Sequence, residues 1–535
     1  MKFITFLSLL GLAFPLHSAL AKTWKLELEL KKSANLHRQI SPYIYGFGTY
    51  FHEDRSKEEV WQLYPSAYRF GGNTSERFNY QVNAWNTGND WFFRNIEAPV
   101  ANVVDQFMQE NRQNKAASAI TLPLLGWVAK DTKSYSFPRK RFPKQQGFER
   151  NAGNGVNPQG KAISTDPNLT SIAIDPDFLA GWVKKLKNQF GPHPHIYILG
   201  NEPMLWHQTH RDVRYYKPVT YDEYLKKYLA AAKIVRKTDP SAVIVGPALW
   251  GWLAWQRSGY DTEGPWNDWQ AMQDRKKHGD QAFLEWFLLE VVKEEKKFGS
   301  SLIDWVDVHY YPESDRWPKG KDHESKIRKQ LLAATRSLWD RRYKDNSWID
   351  QELYFIPRLK ELAAKVKPGL KVAIGEYNFR SEYDVSGAVV QAETLGIFAK
   401  TDLDAAFYWD FPRKDGTHRF AFQLYRNYDD KGAAFGDRWV ANNIEIDDEI
   451  SVFSSRHSQK KRITIVTINK SLDKQQSIQL STKNIGQIKS IRHFDFHSPK
   501  LDDKMQRTKR DLKNKESVLS WEIEPLSLSV TELNY

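Results

Sequence analysis

The chain has 535 residues, a formal net charge of +13 and no cysteine. This length accommodates a large core and two domains, and the lack of cysteine excludes thiol catalysis, disulfides and cysteine-ligated metals. Basic residues are spread along the chain, often beside acids as in Lys293-Glu294-Glu295-Lys296, and no nucleic-acid-binding motif accompanies them. We therefore favour a solvated basic surface over a nucleic-acid partner.

The first 21 residues have the pattern of a cleavable export signal. Lys2 precedes an apolar stretch over residues 3–14, and Ala19-Leu20-Ala21 forms a small-residue cleavage site. The apolar stretch is short for a membrane span, although an uncleaved anchor is the alternative. We expect cleavage after Ala21 and a secreted or periplasmic protein with no membrane attachment.

Residues 22–36 begin with alternating polar and apolar residues, which predict a half-buried strand. Since a closed barrel has no free edge, we expect this strand to join the sheets of a C-terminal domain. The next segment, residues 37–420, alternates strand-like and helix-like runs. The predicted strands lie near 43–49, 67–71, 118–126, 195–200, 242–248, 303–310, 371–376 and 404–410. The clearest amphipathic helices are predicted at 176–190, 221–237, 281–298, 350–366 and 387–400.

Eight strands alternating with helices predict an α/β fold, a (β/α)8 TIM-like barrel. Two long segments, 129–175 and 250–280, interrupt the alternation after strands and are therefore expected on the active-site face; a disordered insertion is the alternative, chiefly for 129–175. Helical periodicity disappears after about residue 415. Alternating strands separated by turns then predict an all-β sandwich over 421–535.

Two of the predicted barrel strands end in glutamate. Glu202 follows the apolar run 195–200, and Glu376 closes the run 371–376, so they end the fourth and seventh strands. One strand-end carboxylate is more often a salt-bridge partner, but a barrel brings the carboxyl ends of its strands together. Two facing carboxylates are the machinery of glycoside hydrolysis.

Several strings, in this order, resemble the glycoside hydrolase family 44 pattern. They are RFGGN at 69–73, FNYQ at 78–81, NDWFF at 89–93, LGNEPMLWHQTH at 199–210, HYYP at 309–312, EYN at 376–378, YRNYD at 425–429 and INK at 468–470. The resemblance spans roughly residues 35–535. One departure is Gly375, where the family pattern leads us to expect threonine.

The resemblance implies a barrel joined to a β-sandwich and a retaining endo-β-1,4-glucanase, often acting on xyloglucan. Glu202 would be the general acid and then the base, and Glu376 the nucleophile. The expected substrate-binding residues are Arg69, Asn201, Trp206, His309, Tyr311, Trp409 and Trp127. For Trp127 and Trp206, core packing is an equally good interpretation. Arg69 and Tyr311 would also keep Glu376 ionised.

We expect no required cofactor and no catalytic metal; a structural calcium is compatible with the resemblance. The expected partner is a β-1,4-linked polysaccharide, bound by a monomer. A β-mannanase or xylanase on the same scaffold is the nearest alternative, because one barrel serves many specificities. A non-catalytic glycan-binding protein and an anionic-polymer binder are more distant alternatives.

Overall fold

The computed structural model describes residues 22–30, 38–49, 57–191, 195–263, 271–314, 324–499 and 504–535. The predicted export signal at 1–21 lies outside the described residues, as do Trp266 and Trp269 of the tryptophan-rich segment. Within the described residues, no helix is both long enough and apolar enough to cross a membrane.

A closed barrel of eight parallel strands forms the larger part of the molecule, as predicted. Its strands are, in chain order, Gly46–Thr49, Ala67–Phe70, Ala117–Leu122, Ile196–Leu199, Val243–Leu249, Trp305–Val308, Lys371–Tyr377 and Ala405–Trp409. The last strand pairs with the first through Phe407 and Gly46, which closes the barrel. We number these barrel strands one to eight. Their apolar residues are buried because the strands face helices outside and packed side chains inside.

Helices surround the barrel, and some of them begin at a residue whose side chain caps the first turn. The helices of eight or more residues are Val103–Gln113, Pro176–Phe190, Tyr221–Thr238, Phe283–Phe298, Ser325–Ala334, Phe355–Val366, Val385–Lys400 and His418–Arg426. Shorter ones are Lys57–Trp61, Trp206–Thr209, Arg211–Arg214, Trp252–Gln256 and Gln273–Lys277. Side chains of Asp175 and Thr220 accept hydrogen bonds from backbone N–H groups in the first turn of the following helix.

The predicted loss of helical structure after residue 415 is wrong, because His418–Arg426 is a helix. Its Phe422 packs edge-on against Phe47 of the first barrel strand and Tyr408 of the eighth. The helix is short and is followed directly by strand-rich sequence, so its pattern is easily missed. The predicted domain boundary between residues 420 and 421 falls inside this helix.

The C-terminal region is all β, as predicted, and contains two sheets. Strands Arg438–Val440, Ile450–Arg456, Arg462–Asn469, Ser490–His497, Gln506–Arg510 and Ser527–Asn534 form one sheet. Strands Lys22–Leu26, Gln476–Ser481, Asn514–Lys515 and Val518–Ile523 form the other. Apolar residues of both sheets share one core. The expected N-terminal strand is present: Lys22–Leu26 pairs in parallel with Gln476–Ser481.

Residues 129–175 form an ordered segment, so the alternative of a disordered insertion is wrong. Its ends carry an antiparallel pair of short strands, Trp127–Ala129 and Ser171–Ala173. Phe137 in the middle is fully buried. A further short antiparallel pair, Ala84–Asn86 and Asn95–Glu97, lies between the second and third barrel strands in sequence.

Candidate active site

Glu202 and Glu376 face each other at the carboxyl end of the barrel. Glu202 lies three residues beyond the fourth barrel strand, and Glu376 is the penultimate residue of the seventh. One carboxylate oxygen of each, together with a ring nitrogen of His309, lies within 4.8 Å of the other two atoms. The barrel therefore brings together two carboxylates that are far apart in sequence.

Glu376 is buried in a positively charged environment. Arg69 Nη1 donates to its Oε1 at 2.5 Å, and the Tyr311 hydroxyl donates to its Oε2 at 2.9 Å. Burial, the largest single influence, acts to raise the pKa of Glu376, but His309, Arg69 and Tyr311 together hold that pKa below its ordinary value. These partners therefore favour the ionised form of Glu376.

His309 lies between the two glutamates and is completely buried. Its Nδ1 is 2.9 Å from Glu202 Oε1 and 3.6 Å from Glu376 Oε2. Burial acts to lower the pKa of His309, but the charge of Glu376 and the hydrogen bond to Glu202 outweigh it and raise that pKa. A protonated imidazole here donates to Glu202 and fixes the direction of its carboxyl group.

Arg69, on the second barrel strand, connects the ends of the fourth and seventh strands. Besides Glu376, its guanidinium donates to the Gly375 carbonyl at 3.0 Å and to Asn201 Oδ1 at 2.6 Å. Gly71 must lack a side chain, since a Cβ there would lie 2.6 Å from Arg69 Cζ. Asn201 is likewise buried, and its predicted contact with a sugar hydroxyl stays a prediction.

Aromatic residues differ in how they relate to the site. Trp409 ends the eighth barrel strand, is half-buried, and lies with its ring centroid 5.9 Å from the Arg69 guanidinium. Gly72 is in contact with it: a Cβ at that position, where φ is +78°, would lie 2.7 Å from the indole. Trp409 therefore lies beside Arg69 at the carboxyl end of the barrel, and its predicted contact with a sugar stays a prediction.

The predicted substrate-binding role of Trp206 is wrong. Its side chain is completely buried and donates from Nε1 to the backbone carbonyl of Asn201 at 2.8 Å. No face of the indole is open to a sugar, so Trp206 packs beneath the Asn201–Glu202 turn instead. Trp127 is half-buried in the Trp127–Ala129 strand, and its sugar contact stays a prediction.

Sequence reasoning missed two buried acids, Glu76 and Asp307. Asp307 Oδ1 accepts from the Gly375 N–H at 2.6 Å, while its Oδ2 has no hydrogen-bond partner among the described residues. Burial raises the pKa of Asp307 despite the nearby charges of His309 and Arg69. A charged residue inside the apolar strand Trp305–Val308 was the available signal. Glu76 lay in a polar string with no such signal.

A cavity of about 220 Å³ adjoins Glu202. Its lining includes three tryptophans, two tyrosines and charged residues of both signs: Trp250, Trp252, Trp348, Tyr310, Tyr311, Glu313 and Arg380. Glu376 is not among the residues that line it. Flat rings beside Glu202 form the kind of surface that binds the apolar face of a sugar ring.

Among the described residues, the only group of three or more side chains arranged to hold a metal ion is Glu202, His309 and Glu376. Arg69 donates to Glu376 within this group, and a cation beside that guanidinium would be repelled. The absence of a required cofactor and the presence of a structural calcium both stay predictions.

Facing glutamates at the ends of the fourth and seventh strands of a parallel eight-stranded barrel define a class of protein, the barrel glycoside hydrolases. The family model of glycoside hydrolase family 44 matches residues 84–314, a range that contains Glu202 and His309. The chain belongs to this family, and Arg69 and Glu376 complete the site from outside the matched range.

Similar proteins of known structure are named for activity on several polysaccharides. The structure is similar to that of CelM2, a bifunctional glucanase-xylanase protein from a metagenome library, with 32% identity, 95% of this chain and 99% of that one covered, and a TM-score of 0.86. A Paenibacillus polymyxa xyloglucanase, solved with xyloglucan, is 26% identical with a TM-score of 0.75, covering 96% of this chain and all of the other.

A curated relative is longer than this chain. Beta-mannanase/endoglucanase A of Caldicellulosiruptor saccharolyticus is 29% identical over 509 residues, which cover 86% of this chain. The chain spans only 36% of the length of that relative.

Proposed function

We propose that this protein cleaves the backbone of β-1,4-glucans internally, with retention of configuration, through a glycosyl-enzyme intermediate. The observation that carries the proposal is the approach of one Glu202 oxygen to within 4.8 Å of one Glu376 oxygen across the barrel. Retaining pairs lie about 5–5.5 Å apart, whereas inverting pairs need about 6.5–9.5 Å to seat a water molecule.

In the first step, Glu376 attacks the anomeric carbon while Glu202 gives its proton to the glycosidic oxygen. The bond from the anomeric carbon to the leaving oxygen breaks, and an ester bond from that carbon to Glu376 forms. In the second step, Glu202 removes a proton from water, whose oxygen displaces Glu376. The Glu202 carboxyl group is then protonated again, and the product retains the β configuration.

The surrounding residues give the two carboxylates different hydrogen-bond partners and therefore different roles. Arg69 and Tyr311 donate to Glu376, which favours its ionised form. His309 donates to one oxygen of Glu202. The second oxygen of Glu202 then gives its proton to the leaving group in the first step and accepts a proton from water in the second. Two chemically identical side chains can thus act as nucleophile and as acid because their hydrogen-bond partners differ.

The proposed substrate class is supported by the aromatic cavity beside Glu202 and by the activities for which the relatives are named. Ring stacking accepts β-linked sugars without one fixed pattern of hydrogen bonds. Glucan or xyloglucan is our proposed substrate, with mannan and xylan as alternatives that the relatives' names support. We also propose that the chain is exported. N-terminal sequencing of protein recovered outside the cytoplasm tests this, and we expect Lys22 as the first residue.

The proposal is tested by a reducing-sugar screen over xyloglucan, carboxymethylcellulose, lichenan, glucomannan and xylan. We expect the highest rate on one of the first two, and early products that are oligosaccharides rather than monosaccharide. Proton NMR of the first products should show the β anomer. Release of the α anomer would contradict the two-step mechanism.

Azide rescue assigns the two roles. Azide needs no base, so Glu202→Ala with an activated aryl glycoside should regain turnover and give the β-glycosyl azide. Glu376→Ala should give the α-glycosyl azide, because azide then occupies the place of the nucleophile. The reverse pattern of products would exchange the assigned roles of Glu202 and Glu376.

A further inference from the structure

Glu76 is a buried carboxylate that accepts three backbone hydrogen bonds. It lies in the short helical turn Asn73–Arg77 that follows the second barrel strand, and its side chain is inaccessible to solvent. Oε2 accepts from Leu124 N at 2.8 Å and from Leu125 N at 3.0 Å, while Oε1 accepts from Asn201 N at 2.5 Å. One side chain thus ties the segment after the third strand to the segment after the fourth.

The segment that Glu76 holds after the fourth strand is conformationally unusual. Gly200 has a φ of +82° and Glu202 a φ of +45°, so left-handed residues flank Asn201 on both sides. For a glutamate this conformation is unfavourable and persists only where neighbouring groups enforce it. The hydrogen bond from Asn201 N to Glu76 is one such restraint, and Glu202 N donates to the Ala248 carbonyl at 2.9 Å as another.

Glu76 therefore acts one peptide away from Glu202 without touching the substrate. We propose that Glu76 is a positioning residue that holds the Gly200–Glu202 turn so that the Glu202 carboxyl group points at the leaving-group oxygen. This inference rests on the proposed function, in which Glu202 is the general acid. Burial raises the pKa of Glu76 to about 7, although its three backbone donors act to lower it.

Glutamine at this position is a near-isosteric test. An ionised carboxylate accepts at both oxygens, whereas glutamine has one acceptor oxygen and an NH2 group that would face an N–H donor. The Glu76→Gln variant therefore loses at least one of the three contacts and loosens the turn. A displacement of even about 1 Å at a catalytic group slows a reaction substantially.

The experiment compares two aryl β-cellobiosides on the same preparation, one with 2,4-dinitrophenolate as leaving group and one with phenolate. Dinitrophenolate departs with little protonation, whereas phenolate needs the acid. We expect kcat/KM of Glu76→Gln to fall about 100-fold on the phenyl substrate, within the usual range for acid catalysis, and about threefold or less on the dinitrophenyl substrate. The ratio of the two is independent of the fraction of folded enzyme.

Asp404→Asn is the matched control. Asp404 also accepts from a backbone N–H, that of Val372 at 2.9 Å, but near the starts of the seventh and eighth strands, at the opposite end of the barrel. We expect its substrate ratio to match wild type. If glutamine prevents folding, Glu76→Asp, which keeps the charge, should give the same selective defect to a smaller degree.

Equal losses on both substrates in the Glu76 variants would overturn the inference, since a general structural defect does not distinguish leaving groups. An unchanged phenyl rate in folded Glu76→Gln would overturn it as well. A wild-type enzyme that cleaves neither the aryl glycosides nor any β-glucan would instead overturn the proposed function.

Discussion

At the scale of single residues, the site keeps several charges away from water and balances them against one another. The side chains of Arg69 and His309 are completely buried, and that of Glu376 is 6% exposed. A buried ion is tolerable only when its partners are in place, so removing one partner leaves the other uncompensated. Each substitution here should therefore affect both stability and the protonation of a neighbouring buried group.

Arg69→Met should show both effects. Loss of the guanidinium leaves Glu376 buried without its cation, and we expect the free energy of unfolding to fall by about 3–5 kcal/mol. Since Arg69 lowers the pKa of Glu376, that pKa should rise, and the acid limb of the kcat/KM–pH profile should move to higher pH. Urea denaturation and a pH profile measure the two effects. An acid limb at the wild-type position would contradict the assignment of Glu376 as nucleophile.

His309→Asn should change how stability depends on pH. The pKa of His309 is raised above 6.5 in the folded protein, so its stabilising contribution is complete below about pH 6.5 and is lost as pH rises through the folded-state value. The difference in Tm between wild type and variant should be largest near pH 6 and smaller at pH 9. A difference that stays constant over this range would show that His309 does not titrate there.

At the scale of strands and helices, local sequence patterns predicted most of the fold. The eight barrel strands and the helices at 176–190 and 221–237 follow from apolar periodicity and from caps such as Asp175 and Thr220. The sequence also predicted that Glu202 and Glu376 face each other, because strand ends meet in a barrel, and the structure brings them together. Local patterns do not report burial, which is set by distant contacts. They left substrate binding and core packing as equally good interpretations of Trp206, and they gave no signal for Glu76, whose hydrogen bonds are completed by Asn201, far along the chain.

At position 375, a side chain on the neighbouring strand restricts which residue fits. A Cβ at this position would lie 2.2 Å from Asp307 Oδ2 on the sixth strand, so the expected threonine has no room here. Gly375→Ala should lower the free energy of unfolding by about 1–3 kcal/mol. In an Asp307→Ala background the same change should cost much less, and a double-mutant cycle from urea denaturation measures the difference. Additive effects would show that the two positions do not compete for space.

At the scale of the whole molecule, the barrel and the sandwich share a hydrophobic core. Residues of the six-stranded sheet, including Phe453 and Val466, belong to the same buried cluster as the barrel helices. A buried ion pair crosses this contact: Lys470 Nζ donates to Glu393 at 2.6 Å, and Ser451 and Thr335 donate to the same carboxylate. The two parts should therefore unfold together.

Lys470→Met tests this coupling. It leaves Glu393 buried without its cation, so we expect a loss of about 3 kcal/mol in unfolding free energy while the single calorimetric transition is kept. Lys474→Met is the control, because Lys474 is half-exposed and 3.6 Å from its partner Glu449; we expect a change below about 1 kcal/mol. Two separate transitions in the wild-type protein would contradict the shared core.

The parallel pairing of Lys22–Leu26 with Gln476–Ser481 affects the order in which the chain can fold during synthesis. The first described strand is an edge strand of the smaller sheet, and its partner is synthesised only after the entire barrel. Until then its apolar residues, Leu26 among them, have no sheet to pair with. We expect the sandwich to fold late, because its smaller sheet pairs two strands that are very far apart in sequence. A C-terminal fragment that contains the sandwich but lacks Lys22–Leu26 would have Gln476–Ser481 as an unpaired edge strand. We expect this isolated fragment to associate through that edge.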